Sequence, residues 1–349
     1  MVKAPFPWFG GKSRAAALVW ERLGDVGNYV EPFAGSLAVL LRRPHAPRIE
    51  TVNDRDTYLS NFWRALTADP AAVTHHADWP VSEADLQARH RWLVEQPKFR
   101  ELMLADPEFY DAKIAGWWVW GISQWIGAGW CSRPEWIGRG QGGRARRGIN
   151  TVDGCRPHLS SSAGVHAGHL DGRCKRPVIN RGGRGVTWFQ RPHLSTAHSG
   201  ISSSCDLANW MNDLASRLRG VRVCCGDWSR IVTPSCTWKI GGGQLTGVFL
   251  DPPYSHELRD NRLYSIEDDV AADCRAWAIE NQDNPLLRIA LCGLAGEHKM
   301  PAGWRSATWV CPRGYSNKEK RVEVIWFSPH CLSANQMPLF HQRFRSVAV

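Results

Sequence analysis

Short apolar strands alternate with helices at both ends of this 349-residue chain, and between residues 71 and 206 the alternation stops. Alternation of this kind calls for a parallel sheet with helices on its faces, because each crossover must return the chain to the same edge of the sheet before the next strand begins. Near the N-terminus, 29–33 and 49–52 read as strands, and 36–42 (ending before Pro44) and 57–68 as helices. Near the C-terminus, 207–218 reads as a helix with Gly220 as its C-cap, and 268–280 as another. Strands are expected at 221–225, 247–250, 286–292 and 321–327. A sheet that begins before residue 60 and resumes after 220 is one fold carrying an insertion, not two tandem domains. The expected division is a core split into 1–70 and 207–330, an inserted region over 71–206, and a C-terminal tail over 331–349.

The insertion has two parts. Residues 71–130 read as helical, with Ser82 and Asp85 spaced as an N-terminal cap. Within them, 114–132 is free of charge for 19 residues, long enough to span a bilayer. Its four glycines and Gln124 argue against a span, as do five tryptophans spread along its length, because membrane tryptophans gather at the interfaces. A buried helix is expected over 109–126, and no membrane. Residues 131–200 are basic, with 12 Lys/Arg against 3 Asp/Glu, a difference of +9 in a chain whose total is +10. This segment is glycine-rich and shows no helical or strand period, so it reads either as a solvated linker or as a loop-rich surface that contacts nucleic acid. Its concentration of charge favours the second reading, with Trp136, Trp188 and Phe189 available for stacking.

Eleven cysteines, an odd number without a Cys-x-x-Cys pair, and a start without an apolar signal core fit a reducing compartment. A cytoplasmic location is expected, that of a host cell if the chain is phage-encoded. Cys155, His158, His166, His169 and Cys174 could ligate a metal, but their spacing matches no common zinc pattern, and no metal is expected.

Three short elements carry chemistry. Asp251-Pro252-Pro253-Tyr254 follows the apolar run 247–250. A carboxylate there sits at the carboxyl end of a strand, where open α/β sheets place their ligand crevice. The prolines fix φ and leave the Pro252 carbonyl free to face the crevice. A planar ring could stack on Tyr254 while its amino group donates to Asp251 and to that carbonyl. The plain alternative is a strand-ending turn. The second element, 29–36, enters a small-residue turn at Gly35, and Asp54 follows 19 residues later, a spacing suited to accepting from ribose hydroxyls. Neither a GxGxxG nor a P-loop stands at this strand-to-helix turn, which disfavours dinucleotide and nucleoside-triphosphate chemistry. The third element, Trp8-Phe9-Gly10-Gly11-Lys12, is by itself only a turn with a lysine.

Taken together and in this order, the elements resemble the D12 class of N6-adenine-specific DNA methyltransferases, the Dam-like family. The likeness rests on Trp8–Lys12, on Glu31-Pro32-Phe33-Ala34-Gly35, on Asp54, on Gly226-Asp227-Trp228 and on Asp251–Tyr254, and it covers about 1–68 and 220–328. Here Gly35 is followed by Ser36-Leu37 where the family often has G-x-G, and 131–200 is longer and more basic than a compact recognition region. The resemblance implies a Rossmann-like S-adenosyl-L-methionine-dependent methyltransferase sheet with an inserted target-recognition region. It implies S-adenosyl-L-methionine as cofactor, held by Trp8, Gly10, Gly11, Lys12, Glu31, Phe33, Gly35, Asp54, Asp227 and Trp228. For Glu31 and Phe33, simple strand packing is the plain alternative. Asp251, Pro252, Pro253 and Tyr254 become the catalytic residues. Double-stranded DNA becomes the partner, with Arg133, Arg144, Arg146, Arg147, Arg181 and Arg184 as phosphate contacts and the target adenine flipped out of the helix. A restriction endonuclease partner and the target sequence are not legible. The rival readings are transfer to cytosine N4, RNA adenine or a protein glutamine amide, and an inactive DNA-binding protein that keeps the fold.

Overall fold

A computed structural model describes residues 2–6, 8, 12–80, 82–106, 108–125, 130–131, 200–253, 270–310 and 322–333. The elements are α1 (Ala16–Leu23), β1 (Asn28–Glu31), β2 (Ile49–Asp54), α2 (Thr57–Ala68), α3 (Pro70–Ala77), α4 (Glu83–Val94), α5 (Phe99–Ala105) and α6 (Ala112–Ile122). They continue with α7 (Gly200–Leu218), β3 (Val221–Cys225), β4 (Thr246–Leu250), α8 (Val270–Glu280), β5 (Leu287–Leu294), β6 (Arg305–Val310) and β7 (Val322–Phe327).

The strands form one seven-stranded sheet in the order β3-β2-β1-β4-β5-β7-β6. β1 to β5 pair in parallel, and β7 runs antiparallel to both β5 and β6. The chain moves outward from β1 through β2 to β3, then returns to β4 on the other side of β1. That reversal opens a crevice at the carboxyl ends of β1 and β4, the usual ligand position of such sheets. Both faces are covered, as a parallel sheet requires. Val30, Val248, Leu250, Ile289 and Leu291 face α8 and the short turn of helix Trp228–Ile231. Tyr29, Val52, Phe249, Ala290 and Ile325 face a larger core that includes α1, α2, α6 and α7.

The helical part of the insertion packs on that larger core. The uncharged segment supplies all but the first two residues of α6, an 11-residue helix with Trp118 and Trp120 fully buried. Asp111 caps it by accepting from the Ile114 amide at 2.8 Å, which places its start after the expected residue 109. No helix among the described residues is long and apolar enough to cross a membrane. Ser82 caps α4 as its spacing with Asp85 suggests. A buried cluster ties α7 to the sheet: Glu50 of β2 takes Arg43 at 3.1 Å and Arg217 of α7 at 2.7 Å. Residues 36–42 differ from expectation. Leu37 has φ of 55°, a left-handed conformation that no helix admits, and only Leu40–Arg42 makes a single 3-10 turn. Cys331 and Leu332 dock against the core, with the Leu332 amide donating to Arg22 of α1.

Candidate active site

β4 is buried along its whole length and delivers Asp251 to the crevice beside β1. Lys12 arrives from the other direction. Its carbonyl accepts the amides of Ala15 and Ala16 at the start of α1, which anchors its backbone. Its Nζ lies 2.8 Å from Asp251 Oδ1 and 3.6 Å from Glu323 Oε2 of β7. The lysine is 4% exposed. A buried ammonium needs a carboxylate partner, and this one has two. Burial raises the Asp251 carboxyl from 3.8 to about 6 against the pull of Lys12, with Glu323 and Glu297 pushing it further up. It is therefore ionised at neutral pH and can accept a hydrogen bond.

Glu31 ends β1 on the same side. It is buried and accepts from the Tyr29 hydroxyl at 3.0 Å. Burial lifts its carboxyl from 4.5 to about 8, and Asp251 contributes in the same direction. Beyond it the chain turns sharply. Gly35 has φ of 47°, and a Cβ there would lie 2.6 Å from Trp8 Nε1. Trp8 thus rests directly on the turn, and the Trp63 indole donates to the Gly35 carbonyl at 3.2 Å. The turn is tied to β2 by the Ala34 amide, which donates to Asn53 O, and by the Gly35 amide, which donates to Asp54 Oδ2 at 3.0 Å. Asp54 also accepts the Asp56 amide at 2.9 Å. Half-buried, it has its carboxyl raised to about 7 by desolvation and by the neighbouring Asp56.

The end of β3 completes the rim. Asn53 donates from Nδ2 to Pro32 O at 3.1 Å and to Gly226 O at 3.0 Å, so one buried amide spans three strand ends. Asp227 is exposed and caps the short helix Trp228–Ile231 through Ser229, whose hydroxyl holds its carboxyl below the usual range. Trp228 stacks with Phe33, their ring centroids 6.1 Å apart and tilted by 30°.

The structure therefore brings Trp8, Lys12, Glu31, Phe33, Gly35, Asp54, Asp227, Trp228, Asp251 and Pro252 to the carboxyl edge of β1–β4. Pro253 follows them. Tyr254, Gly10 and Gly11 lie outside the described residues, as do Arg133, Arg144, Arg146, Arg147, Arg181 and Arg184. So do the cysteines and histidines between 155 and 174; no group of three or more metal-ligating side chains occurs among the described residues. Glu323, Tyr29 and Asn53 were not legible as site residues. Glu323 sits in an ordinary strand pattern, and Asn53 is one of several polar residues in the run Ile49–Asp54. Chemically, the edge offers carboxylates to a cation, a flat aromatic pair to a ring, and one ionised carboxylate with an adjacent carbonyl to an amine.

No curated protein matches the chain at a significant level. Residues 8–101 match the family model of the D12 class N6 adenine-specific DNA methyltransferases, a stretch that holds Trp8, Lys12, the Glu31–Gly35 turn and Asp54. The seven-stranded sheet fits the S-adenosyl-L-methionine-dependent fold of that family. Over residues 8–101, the chain is therefore similar to the D12 class of N6 adenine-specific DNA methyltransferases.

Proposed function

We propose that the β1–β4 edge is the active centre and that the reaction is methylation of adenine N6 in double-stranded DNA, on a base flipped out of the duplex. The observation that carries this reading is Asp251, at the switch point of the sheet, paired with Lys12 at 2.8 Å and followed by two prolines. The residues present suit S-adenosyl-L-methionine. Asp251 complements positive charge, Glu31 can do so when a cation draws it into its ionised form, and Phe33 and Trp228 suit a purine. Trp8, Lys12, Glu31, Gly35 and Asp54 would hold the methionine and ribose portions, and Asp227 with Trp228 the adenine end. Once bound, the cofactor supplies an electrophilic methyl group on a cationic sulfur.

The chain's own residues then act on the target amine. That amine is conjugated with the ring and is a poor nucleophile. Asp251 and the Pro252 carbonyl accept its two N–H groups, draw the nitrogen toward tetrahedral geometry and localise its lone pair. The methyl group that the cofactor would supply would then pass to this nitrogen, with Asp251 placed to take the proton that the amine loses. Fixed acceptors placed in advance of the charge they meet contribute most of the rate. Tyr254 would stack on the flipped base, which costs a few kcal/mol to unstack. The region 71–206, with its basic arginines, would grip the DNA.

Incubation with DNA and S-adenosyl-L-methionine, followed by nucleoside analysis and methylation-aware sequencing, tests the reading. N6-methyladenine at a recurring sequence is expected. N4-methylcytosine, or methyl transfer to RNA alone, would replace it with one of its rivals.

A further inference from the structure

We propose that Glu323 is a positioning residue for methyl transfer: it shares the Lys12 ammonium with Asp251 and so fixes both the orientation and the proton affinity of the acceptor carboxylate. The inference rests on the reading of Asp251 as that acceptor. Three observations carry it. Lys12 Nζ is 2.8 Å from Asp251 and 3.6 Å from Glu323, so one buried cation spans two carboxylates. Glu323 is 7% exposed on β7, where it pairs in register with Leu294 of β5. A glutamate at that depth needs a counter-charge, and Lys12 supplies it. The third observation is direction. Lys12 comes from the segment before α1, Asp251 from the end of β4 and Glu323 from β7, the strand that alone runs against its neighbours. Opposing pulls from two sides hold a flexible lysine where a single partner would let it swing.

The charges around Asp251 define what Glu323 does. Lys12 favours its ionised form, while Glu323 and Glu297 oppose it. Glu31 of β1 and the Cys292 thiol of β5 also sense its charge, and His298 lies behind them with Nε2 3.3 Å from the Cys292 carbonyl. Glu297 is engaged by the Leu294 amide at 2.7 Å. Of these groups Glu323 is the acidic one that shares the lysine itself. Its removal takes away a repulsion and leaves Asp251 one fewer competitor for the ammonium. Both changes lower the proton affinity of Asp251, and an ammonium closed onto that carboxylate competes with the target amine.

Two measurements test this. The first is the pH profile of kcat/KM for DNA at saturating cofactor. In Glu323→Gln the acidic limb moves down by about one pH unit, as expected for loss of a nearby like charge, and kcat at the optimum falls. In Glu323→Asp, whose carboxylate is withdrawn by one methylene, the limb moves the same way by less. This second variant keeps the test decisive if the glutamine form folds poorly. A merely structural role would lower turnover without moving the limb. The second measurement needs no turnover. The difference in unfolding free energy between each protein and its Asp251→Asn derivative, followed against pH, reports the titration of Asp251 by linkage. It moves down in parallel if Glu323 acts as proposed. An unmoved or upward-moving titration in both assays overturns the role of Glu323. An Asp251→Asn enzyme that keeps full turnover overturns instead the reading of Asp251, while the linkage measurement still decides whether Glu323 sets its titration.

Discussion

Asp251 illustrates how far a single residue can be read from its neighbours in sequence and where that reading stops. A carboxylate after five buried strand residues and before two prolines was legible as a site, because strand ends and proline geometry are local properties. Its partners were not. Glu323 is the one charged residue of Val322–Phe327, but nothing local says what it faces, and only the antiparallel placement of β7 brings residue 323 to residue 12. Asp54 was legible for its distance from Gly35, yet its oxygens also serve the Gly35 and Asp56 amides, a bracing role that spacing does not reveal. The residue-scale prediction concerns Asp251 itself. Asp251→Ala should abolish methyl transfer and leave DNA affinity within about twofold, because the carboxylate acts on the flipped amine and touches no phosphate. Transfer of radiolabelled methyl groups alongside filter binding checks it. Near-full turnover in the variant would remove this tetrapeptide from the active centre.

At the scale of elements, regular periodic segments were legible and the turns between them were not. Thr57–Ala68 has the expected bounds, and β3 and β4 fall within a residue of theirs, since burial pattern and strand ends coincide. The stretch 36–42 looked helical because its composition is helix-compatible. It leaves the helical region at Gly35 and Leu37, both of positive φ, where Trp8 packs against Gly35 and Trp63 donates to the Gly35 carbonyl. α1 went unassigned, its apolar face hidden in an alanine-rich run. The Gly35 turn is therefore the element whose geometry matters most to the crevice. Gly35→Ala places a Cβ against the Trp8 indole and puts an L side chain at φ of 47°. Left-handed strain and overpacking together should cost about 2 kcal/mol of stability. Because Trp8 must shift, cofactor affinity should fall as well. Denaturant unfolding and calorimetry report the two effects separately, and an unchanged dissociation constant would detach Trp8 from the cofactor.

The whole molecule is divided electrically. Residues 131–200 carry nearly all the positive excess, while the β1–β4 edge gathers carboxylates. Neutralising Arg144, Arg146 and Arg147 together should weaken binding to specific and random duplexes alike. Each lost phosphate contact should lower the slope of log K against log salt by about 0.9. Parallel salt titrations of wild type and variant would make the segment a bystander. The carboxylate edge has the opposite consequence, for stability. Glu31 rises from 4.5 to about 8, Asp54 from 3.8 to about 7 and Asp251 from 3.8 to about 6. Between the unfolded and folded values, the folded protein holds protons that the unfolded chain has released. By linkage, each group then subtracts stability as pH rises through that window, the reverse of an ion-paired surface carboxylate. Glu31 is the cleanest case because it is the most deeply buried of the three. Glu31→Gln keeps the shape of the protonated acid and has nothing to titrate, so subtracting its stability from that of wild type cancels every group that does not sense its charge. The difference should be flat below about pH 4.5 and fall by about 1.4 kcal/mol per pH unit above it, levelling off above about pH 8. Urea unfolding from pH 4 to 9 measures it. Saturating S-adenosyl-L-methionine should shallow the fall, because a cation beside Glu31 favours the ionised form that burial penalises. A difference that stays flat throughout would return Glu31 to the ordinary carboxylate range and remove the buried acid from the cofactor pocket.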